Sequence, residues 1–157
     1  MWEGKGKGRR SGAEEKRGEV EEVIKRIREI DNLVDGLRVA DFAKEGGYAD
    51  KIAKELKELN PTQLRRFFDA VREIENKLET GKWEDVSDKF YLLQPQLAYA
   101  VGRDVIPARF YELMKASLSK IDLGTDKEKS ESFKRFTQFL EAIVAYQKYH
   151  YPKSGAR

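Results

Sequence analysis

Hydrophobic residues recur along this chain at steps of three and four residues, the spacing of a helix with one buried face. The clearest case begins at Asn60, whose side chain suits an N-cap, followed by Pro61 at the first helical position. The apolar stripe that follows consists of Leu64, Phe67, Phe68, Val71, Ile74 and Leu78. We therefore predict a helix from Asn60 to Leu78 with one packed side.

The same spacing predicts further helices on both sides of this one. Earlier segments cover 13–34, 37–43 and 48–59, and later ones cover 83–103, 107–121 and 126–149. Asp35 and Gly36 are expected to end the first segment, and Pro95 predicts a kink or a break near Leu93 or Gln94. Because no run of alternating β-branched residues occurs, the fold class is all-α, a single-domain bundle of five to seven helices with short connections.

Residues 1–12 differ in composition from the rest of the chain. They are rich in Gly and contain four basic residues against one acidic residue, which gives +3, the net charge of the whole chain. The remainder is therefore close to neutral, and any basic surface must arise from segregation of charges. We expect a flexible basic arm over 1–12, either a solvated tail or a segment that settles on phosphates, a helical bundle over 13–151 and a C-terminal tail over 152–157.

Composition narrows the possible locations and chemistries. The chain has 157 residues, 39% of them hydrophobic and 38% charged, and no apolar run approaches the roughly 18 residues of a membrane span. The N-terminus lacks the apolar centre of a secretory signal, so we expect a cytoplasmic protein with no membrane partner. The absence of Cys excludes disulfides, thiol nucleophiles and zinc sites built on thiolates.

The sequence offers little for catalysis. Its single histidine, His150, has no histidine or cysteine to share a metal with, and we expect it to have a surface or packing role. No serine lies in a nucleophile-elbow context, and most carboxylates stand three or four residues from Lys or Arg, as in helix-surface ion pairs. We therefore expect no enzyme activity, no cofactor and no metal.

Basic and planar side chains are the combination that RNA binding requires, since the first contact phosphates and the second stack on bases. The candidate contacts are Lys54, Arg65, Arg66, Arg72, Tyr99, Arg103, Lys134 and Arg135. An alternative is that Asp69 neutralises the arginines around it within the same helix. Glu75 falls inside the apolar stripe and needs a cationic partner, for which Arg103 is a candidate.

Three separated segments then carry a resemblance to a known family. PTQLRRFFDAVREIE, LLQPQLAYAVGR and FTQFLEAIVAYQKYHY resemble, in that order, the blocks of the small helical subunit of type III-A CRISPR effector complexes, the Csm complexes. The similarity covers Leu59 to Tyr151. Matched block by block, the basic residues are Arg65, Arg66 and Arg103, with Tyr99 one turn before the last of them. The C-terminal block often has a histidine where this chain has Gln147, which argues against an essential histidine there.

The resemblance implies a non-catalytic subunit that binds the backbone of guide RNA and target RNA without sequence specificity. It also implies head-to-tail packing with copies of itself and contact with the backbone subunits of the Csm complex, which make the RNA cuts. Two alternatives remain open, a helix-turn-helix DNA-binding regulator and a pure protein–protein scaffold.

Overall fold

A computed structural model describes residues 18–152 of the chain. Within them the structure has helices and no strand: α1 over 18–29, α2 Leu33–Gly36, α3 Val39–Ala43, α4 Tyr48–Glu55, α5 Pro61–Thr80, α6 Trp83–Gly102, α7 Ala108–Ser119 and α8 Asp126–His150. The predicted all-α single-domain bundle is confirmed. The predicted arm, residues 13–17 and all of the predicted tail except Pro152 lie outside the described residues.

The last helix, α8, is the centre of the bundle. It packs against α2, α3, α4, α5 and α6, and Phe133, Phe136 and Phe139 are completely buried along it. Its start is fixed by a capping box, because the Glu128 N–H donates to the Thr125 hydroxyl and the Thr125 N–H donates to the Glu128 carboxylate. A helix buried on so many sides determines where its neighbours lie.

The α5 helix runs antiparallel to α8. Its N-cap is confirmed, since the Gln63 N–H donates to Asn60 Oδ1 at 3.0 Å. The first turn of α5 lies beside the last turns of α8, and the last turns of α5 lie beside Ser130 and Lys134 near the start of α8. This arrangement makes the two ends of the α5–α8 pair chemically different.

The predicted end of the first helix is wrong. The helix stops at residue 29, and a separate single turn, α2, follows. The Asn32 side chain accepts a hydrogen bond from the Asp35 N–H at 2.9 Å, so Asn32 caps a new helix instead of continuing the old one. Gly36 lies against Ile30, where a Cβ would come within 2.4 Å of the Ile30 Cβ, so the chain folds back closely at this point.

Pro95 does not break its helix. The α6 helix continues from Trp83 through Pro95 to Gly102. Proline removes one backbone donor and costs about 3 kcal/mol inside a helix, but Phe90, Leu93 and Leu97 are buried around it. Burial of these side chains holds the helix together across the proline, which is itself exposed.

None of the described helices is suited to cross a membrane. Between residues 18 and 152, no helix combines the length and the apolar character that a bilayer requires.

The Arg135 side chain fastens the early part of the chain to α8. Its Nη1 donates to the carbonyl oxygens of Val34 and Leu37, both at 2.8 Å, and its Nε donates to Gln138 Oε1 at 3.2 Å. Charged donors to backbone carbonyls form stronger hydrogen bonds than neutral ones. Arg135 therefore stabilises the connection between α2 and α3.

Replacing Arg135 by Leu is expected to lower the free energy of unfolding by about 1 to 3 kcal/mol, because the two carbonyl groups lose their donor. Urea denaturation measures the difference. The matched control is Lys134→Leu, whose exposed side chain makes no hydrogen bond or ion pair among the described residues; a change within about 0.5 kcal/mol is expected there. An equal loss in both variants would contradict the assigned role of Arg135.

Candidate nucleic-acid interface

Two arginines in the first turns of α5 border open grooves. Arg65 and Arg66 line a groove of about 280 Å³ between α5 and α8, together with Val144, Gln147 and Lys148. Arg66 also lines a second groove, of about 150 Å³, whose other wall includes Gln96 and Ala100 of α6 and Ile106. Arg66 therefore lies between the two grooves and connects the surface of α8 with that of α6.

Arg103 and Tyr99 continue this surface along α6. Arg103 is the C-cap of α6, and its guanidinium carbon lies 5.7 Å from the centre of the Tyr99 ring. The Tyr99 side chain is 68% exposed. Tyr99 and Arg103 flank Ala100, which lines the second groove together with Arg66, so they lie at the same end of the molecule as Arg66.

We call the surface formed by Arg65, Arg66, Tyr99 and Arg103 the basic end. Arg65, Arg66 and Arg103 are exposed, and none makes an ion pair with a residue in the described range. The alternative in which Asp69 neutralises Arg65 and Arg66 is therefore not the arrangement of the structure. Free guanidinium groups beside an exposed ring can contact phosphates and a stacked base.

Arg72 is not part of the basic end, because its side chain contacts residues of its own helix. Its Nε lies 3.4 Å from Glu75 Oε1, and its guanidinium lies over the Phe68 ring at 5.8 Å. Arg72, and not Arg103 as expected, is thus the cationic partner of Glu75. The three-residue spacing of Arg72 and Glu75 is the local signal for this pair, whereas Arg103 lies at the C-cap of α6 beside the Tyr99 ring.

A surface of opposite charge lies at the other end of the α5–α8 pair. A groove of about 230 Å³ at this end is lined by Glu75, Glu79, Glu131 and Lys134. We call the surface formed by the three glutamates the acidic end. Burial raises the pKa of Glu75; the charges of Glu79 and Glu141 raise it further, and Arg72 and Lys134 partly offset them. Lys134, a predicted RNA contact, is therefore surrounded by carboxylates.

Lys54 and Arg135 are also separate from the basic end. Lys54 borders a groove of about 350 Å³ that Glu19, Asp50 and Glu55 share, and Arg135 is engaged with backbone carbonyls. RNA contacts by Lys54, Arg72, Lys134 and Arg135 stay predictions. Of the eight predicted RNA contacts, the structure brings Arg65, Arg66, Tyr99 and Arg103 to one end of the molecule.

The single histidine has a packing role in the structure. His150 Nε2 lies 2.5 Å from Asp50 Oδ1, and the Gly46 N–H donates to Asp50 Oδ2 at 2.8 Å. Burial alone would raise the pKa of Asp50, but the hydrogen bonds from His150 and Gly46 outweigh it and hold that pKa below its ordinary value. The pair joins the end of α8 to the start of α4, a contact between residues 100 positions apart that no local pattern indicates.

Two tyrosines near the end of the chain, Tyr146 and Tyr151, contribute to the fold. The Tyr146 hydroxyl donates to the Ala43 carbonyl at 2.7 Å, and the Tyr151 hydroxyl donates to the Lys54 carbonyl at 2.8 Å. Tyr149 is 70% exposed.

Among residues 18–152, no group of three or more His, Asp or Glu side chains is placed to hold a metal ion.

Most of the chain matches the model of a known protein family. The family model described as Csm2 Type III-A matches residues 40–153. No curated protein matches the chain, and no solved structure matches it. The matched range contains every residue of the basic end and of the acidic end.

Replacing Asp50 by Asn is expected to destabilise the protein at neutral pH. A carboxyl group whose pKa is lowered by folding stabilises the folded state above its unfolded pKa of about 3.9, and this contribution is lost as the pH falls through the lower folded value. The difference in unfolding free energy between the two proteins should therefore shrink towards zero below about pH 4.

Urea denaturation at a series of pH values tests this expectation. Asp88→Asn is the control, because Asp88 is exposed and has no hydrogen bond within the described part of the chain; it should leave stability at neutral pH unchanged. A difference between Asp50→Asn and the parent chain that grew on acidification would refute the assignment.

Proposed function

The chain belongs to the Csm2 family of type III-A CRISPR complexes, and we propose that it binds the backbone of guide RNA and target RNA through the basic end. Family membership makes it a small subunit that associates with other subunits of the Csm complex. The proposed role is non-catalytic, and the proposed location is the cytoplasm. RNA cutting then belongs to neighbouring subunits.

The observation that carries the proposal is the grouping, beside an exposed ring, of three arginines that have no ion-pair partner among residues 18–152. Arg65 and Arg66 come from α5 and Arg103 comes from α6, so two helices of the rigid bundle fix their spacing. Guanidinium groups donate to phosphate oxygens in any base sequence, and the Tyr99 face accepts any base. Binding of this kind tolerates all sequences and weakens as salt rises.

The neutral body of the chain also supports the proposal. Because the acidic end lies across the bundle, a polyanion is attracted to one surface of the molecule and repelled from the other. Polar side chains for reading base edges are few at the basic end, where Gln63 and Gln96 border the same groove as Arg66. This composition favours backbone contact over the base-edge contacts of a helix-turn-helix regulator.

We further propose that neighbouring copies in the complex pack head to tail through surfaces of opposite charge. The acidic end of one copy, where Glu79 and Glu131 are exposed, then contacts basic side chains near the C-terminus of α8 in the next copy. Such a contact joins two different surfaces and therefore extends along RNA without closing into a ring. Several weak contacts to one RNA then add up through effective concentration.

Reversing both Arg65 and Arg66 to Glu should weaken binding of single-stranded RNA and of an RNA duplex by at least about tenfold at low salt, since two phosphate contacts become repulsive. The slope of log affinity against log salt should fall by about one per lost contact. Fluorescence anisotropy at two salt concentrations measures both quantities, with circular dichroism to verify folding.

The matched control is Arg26→Glu, an equal change per residue on the exposed side of α1. It should reduce RNA affinity far less than the change at the basic end. Preference for one duplex DNA sequence would instead support a regulator, and normal assembly without any RNA binding would support a pure scaffold.

Reversing Glu79 and Glu131 to Lys should reduce the number of copies in a reconstituted complex, because the acidic end no longer attracts the next copy. RNA binding by the isolated variant should be retained or strengthened. Native mass spectrometry counts the copies, and an unchanged copy number would remove the acidic end from the proposed contact.

A further inference from the structure

The second groove, which Arg66 borders, combines an apolar interior with a polar rim. It lies between α5 and α6 and measures about 150 Å³. Its buried lining residues are all apolar and no more than 8% exposed: Phe67, Leu97, Ala100 and Ile106. Its accessible lining residues are all polar: Gln63, Arg66 and Gln96. A ligand that fits this groove therefore has apolar faces and a polar edge.

The two glutamines at the rim offer their side-chain amides to a ligand. Neither Gln63 nor Gln96 uses its side chain in a hydrogen bond with another of residues 18–152. The remaining glutamines of the chain all do so: Gln94, Gln138 and Gln147. Each amide provides two N–H donors and one carbonyl acceptor. Because Gln63 belongs to α5 and Gln96 to α6, a molecule between the two helices can form hydrogen bonds with both.

The volume of the groove suits one ring system. An apolar cavity of about 150 Å³ is large enough to bind benzene, whereas sites for drug-sized ligands measure about 300 to 1,000 Å³. The groove thus has room for a single base but not for a whole nucleotide. The sugar and the phosphate of the same nucleotide would lie outside, next to Arg66.

We propose that the second groove holds one unpaired base of the bound RNA, an inference that rests on the proposed function. Arg66 lines both grooves, so a phosphate bound to Arg66 brings the base of its own nucleotide to the entrance. The faces of the base then pack against Phe67 and Leu97. Its polar edge forms hydrogen bonds with the amides of Gln63 and Gln96.

The chemistry of the rim favours a base over an apolar side chain of a partner protein. An apolar side chain in the groove would remove both amides from water without giving them a partner, which is unfavourable. A base carries a polar edge for the amides and an attached phosphate for the arginines of the basic end. A base inside a duplex is stacked and its edge is already paired, so the site takes a base from a single strand, a bulge or an end.

This contact is compatible with binding to any RNA sequence. A half rotation about the last side-chain bond exchanges the donor and the acceptor of an amide, so Gln63 and Gln96 can complement each of the four bases. The contact also neutralises no phosphate. Its share of the affinity should therefore be insensitive to salt, unlike the share of the arginines.

Abasic RNA tests the base contact, because it has the length and the charge of ordinary RNA but lacks the rings. The parent chain should bind an ordinary single strand at least about tenfold more tightly than the abasic strand, with equal slopes of log affinity against log salt. Fluorescence anisotropy at two salt concentrations measures both quantities. In a Tyr99→Ser background, which removes stacking on that ring, a preference of at least about fivefold should persist.

Two variants in the Tyr99→Ser background remove the base contact and leave the arginines unchanged. The double change Gln63→Leu and Gln96→Leu removes both amides at similar side-chain size, and Ala100→Leu fills the groove. Each should reduce the preference for ordinary over abasic RNA to less than about twofold, with the salt slope unchanged.

The matched controls are Asn76→Leu and Ala98→Leu, which change exposed positions of α5 and α6 outside the groove. The first removes an amide, and the second enlarges an alanine, so both should keep the preference of the background. Circular dichroism and thermal unfolding verify that every variant is folded.

Nuclear magnetic resonance locates the contact independently of affinity. The side-chain amide resonances of Gln63 and Gln96, identified by their absence from the double variant, should shift on addition of ordinary RNA. With abasic RNA they should shift far less.

The inference is overturned if ordinary and abasic RNA bind equally in the Tyr99→Ser background, or if the double variant keeps the preference of the controls. Movement of the two amide resonances with other subunits of the complex, but not with RNA, would assign the groove to a protein side chain instead. Absence of binding by both RNAs would contradict the proposed function and this inference with it. Because abasic RNA keeps every phosphate, retained binding of both RNAs without a preference contradicts the base contact alone.

Discussion

Burial of α8 on most of its circumference is the constraint on which the rest of the structure depends. In the described part of the chain, α2 to α6 pack around it, and its phenylalanines fill the space between them. Because α8 is covered in this way, its polar residues must find partners inside the bundle, as Gln147 does by donating to the Leu59 carbonyl at 3.3 Å. The antiparallel placement of α5 follows, and with it the separation of the two charged ends.

The charged residues form two classes with different consequences. Arg72 is joined to a carboxylate and Arg135 to two carbonyl groups, and both stabilise the folded chain. Within the described part of the chain, the arginines of the basic end have no such partner and are available to an external anion. A net charge near zero for the body of the chain therefore conceals a strongly divided surface.

The fold was largely predictable because its signals are local. The cap at Asn60 and the apolar stripe of α5 each depend on residues a few positions apart. The end of α1 and the continuity of α6 could not be predicted from local signals. Asn32 starts a competing turn, and long-range packing outweighs the cost of Pro95. The candidate site was predictable only in part for the same reason. Arg65 and Arg66 follow the helical period, but Arg135 is engaged by carbonyl groups 98 and 101 residues away.

The separation of the two ends also gives the molecule an electric dipole. Arg65 and Glu79 stand about 20 Å apart along α5, given a rise of about 1.5 Å per residue. In the field of a long polyanion such a body experiences a torque before any contact is made, and it turns its positive pole forward. In the RNA binding that we propose, a body with a net charge near zero can thus arrive already oriented, so that fewer encounters occur through the wrong face.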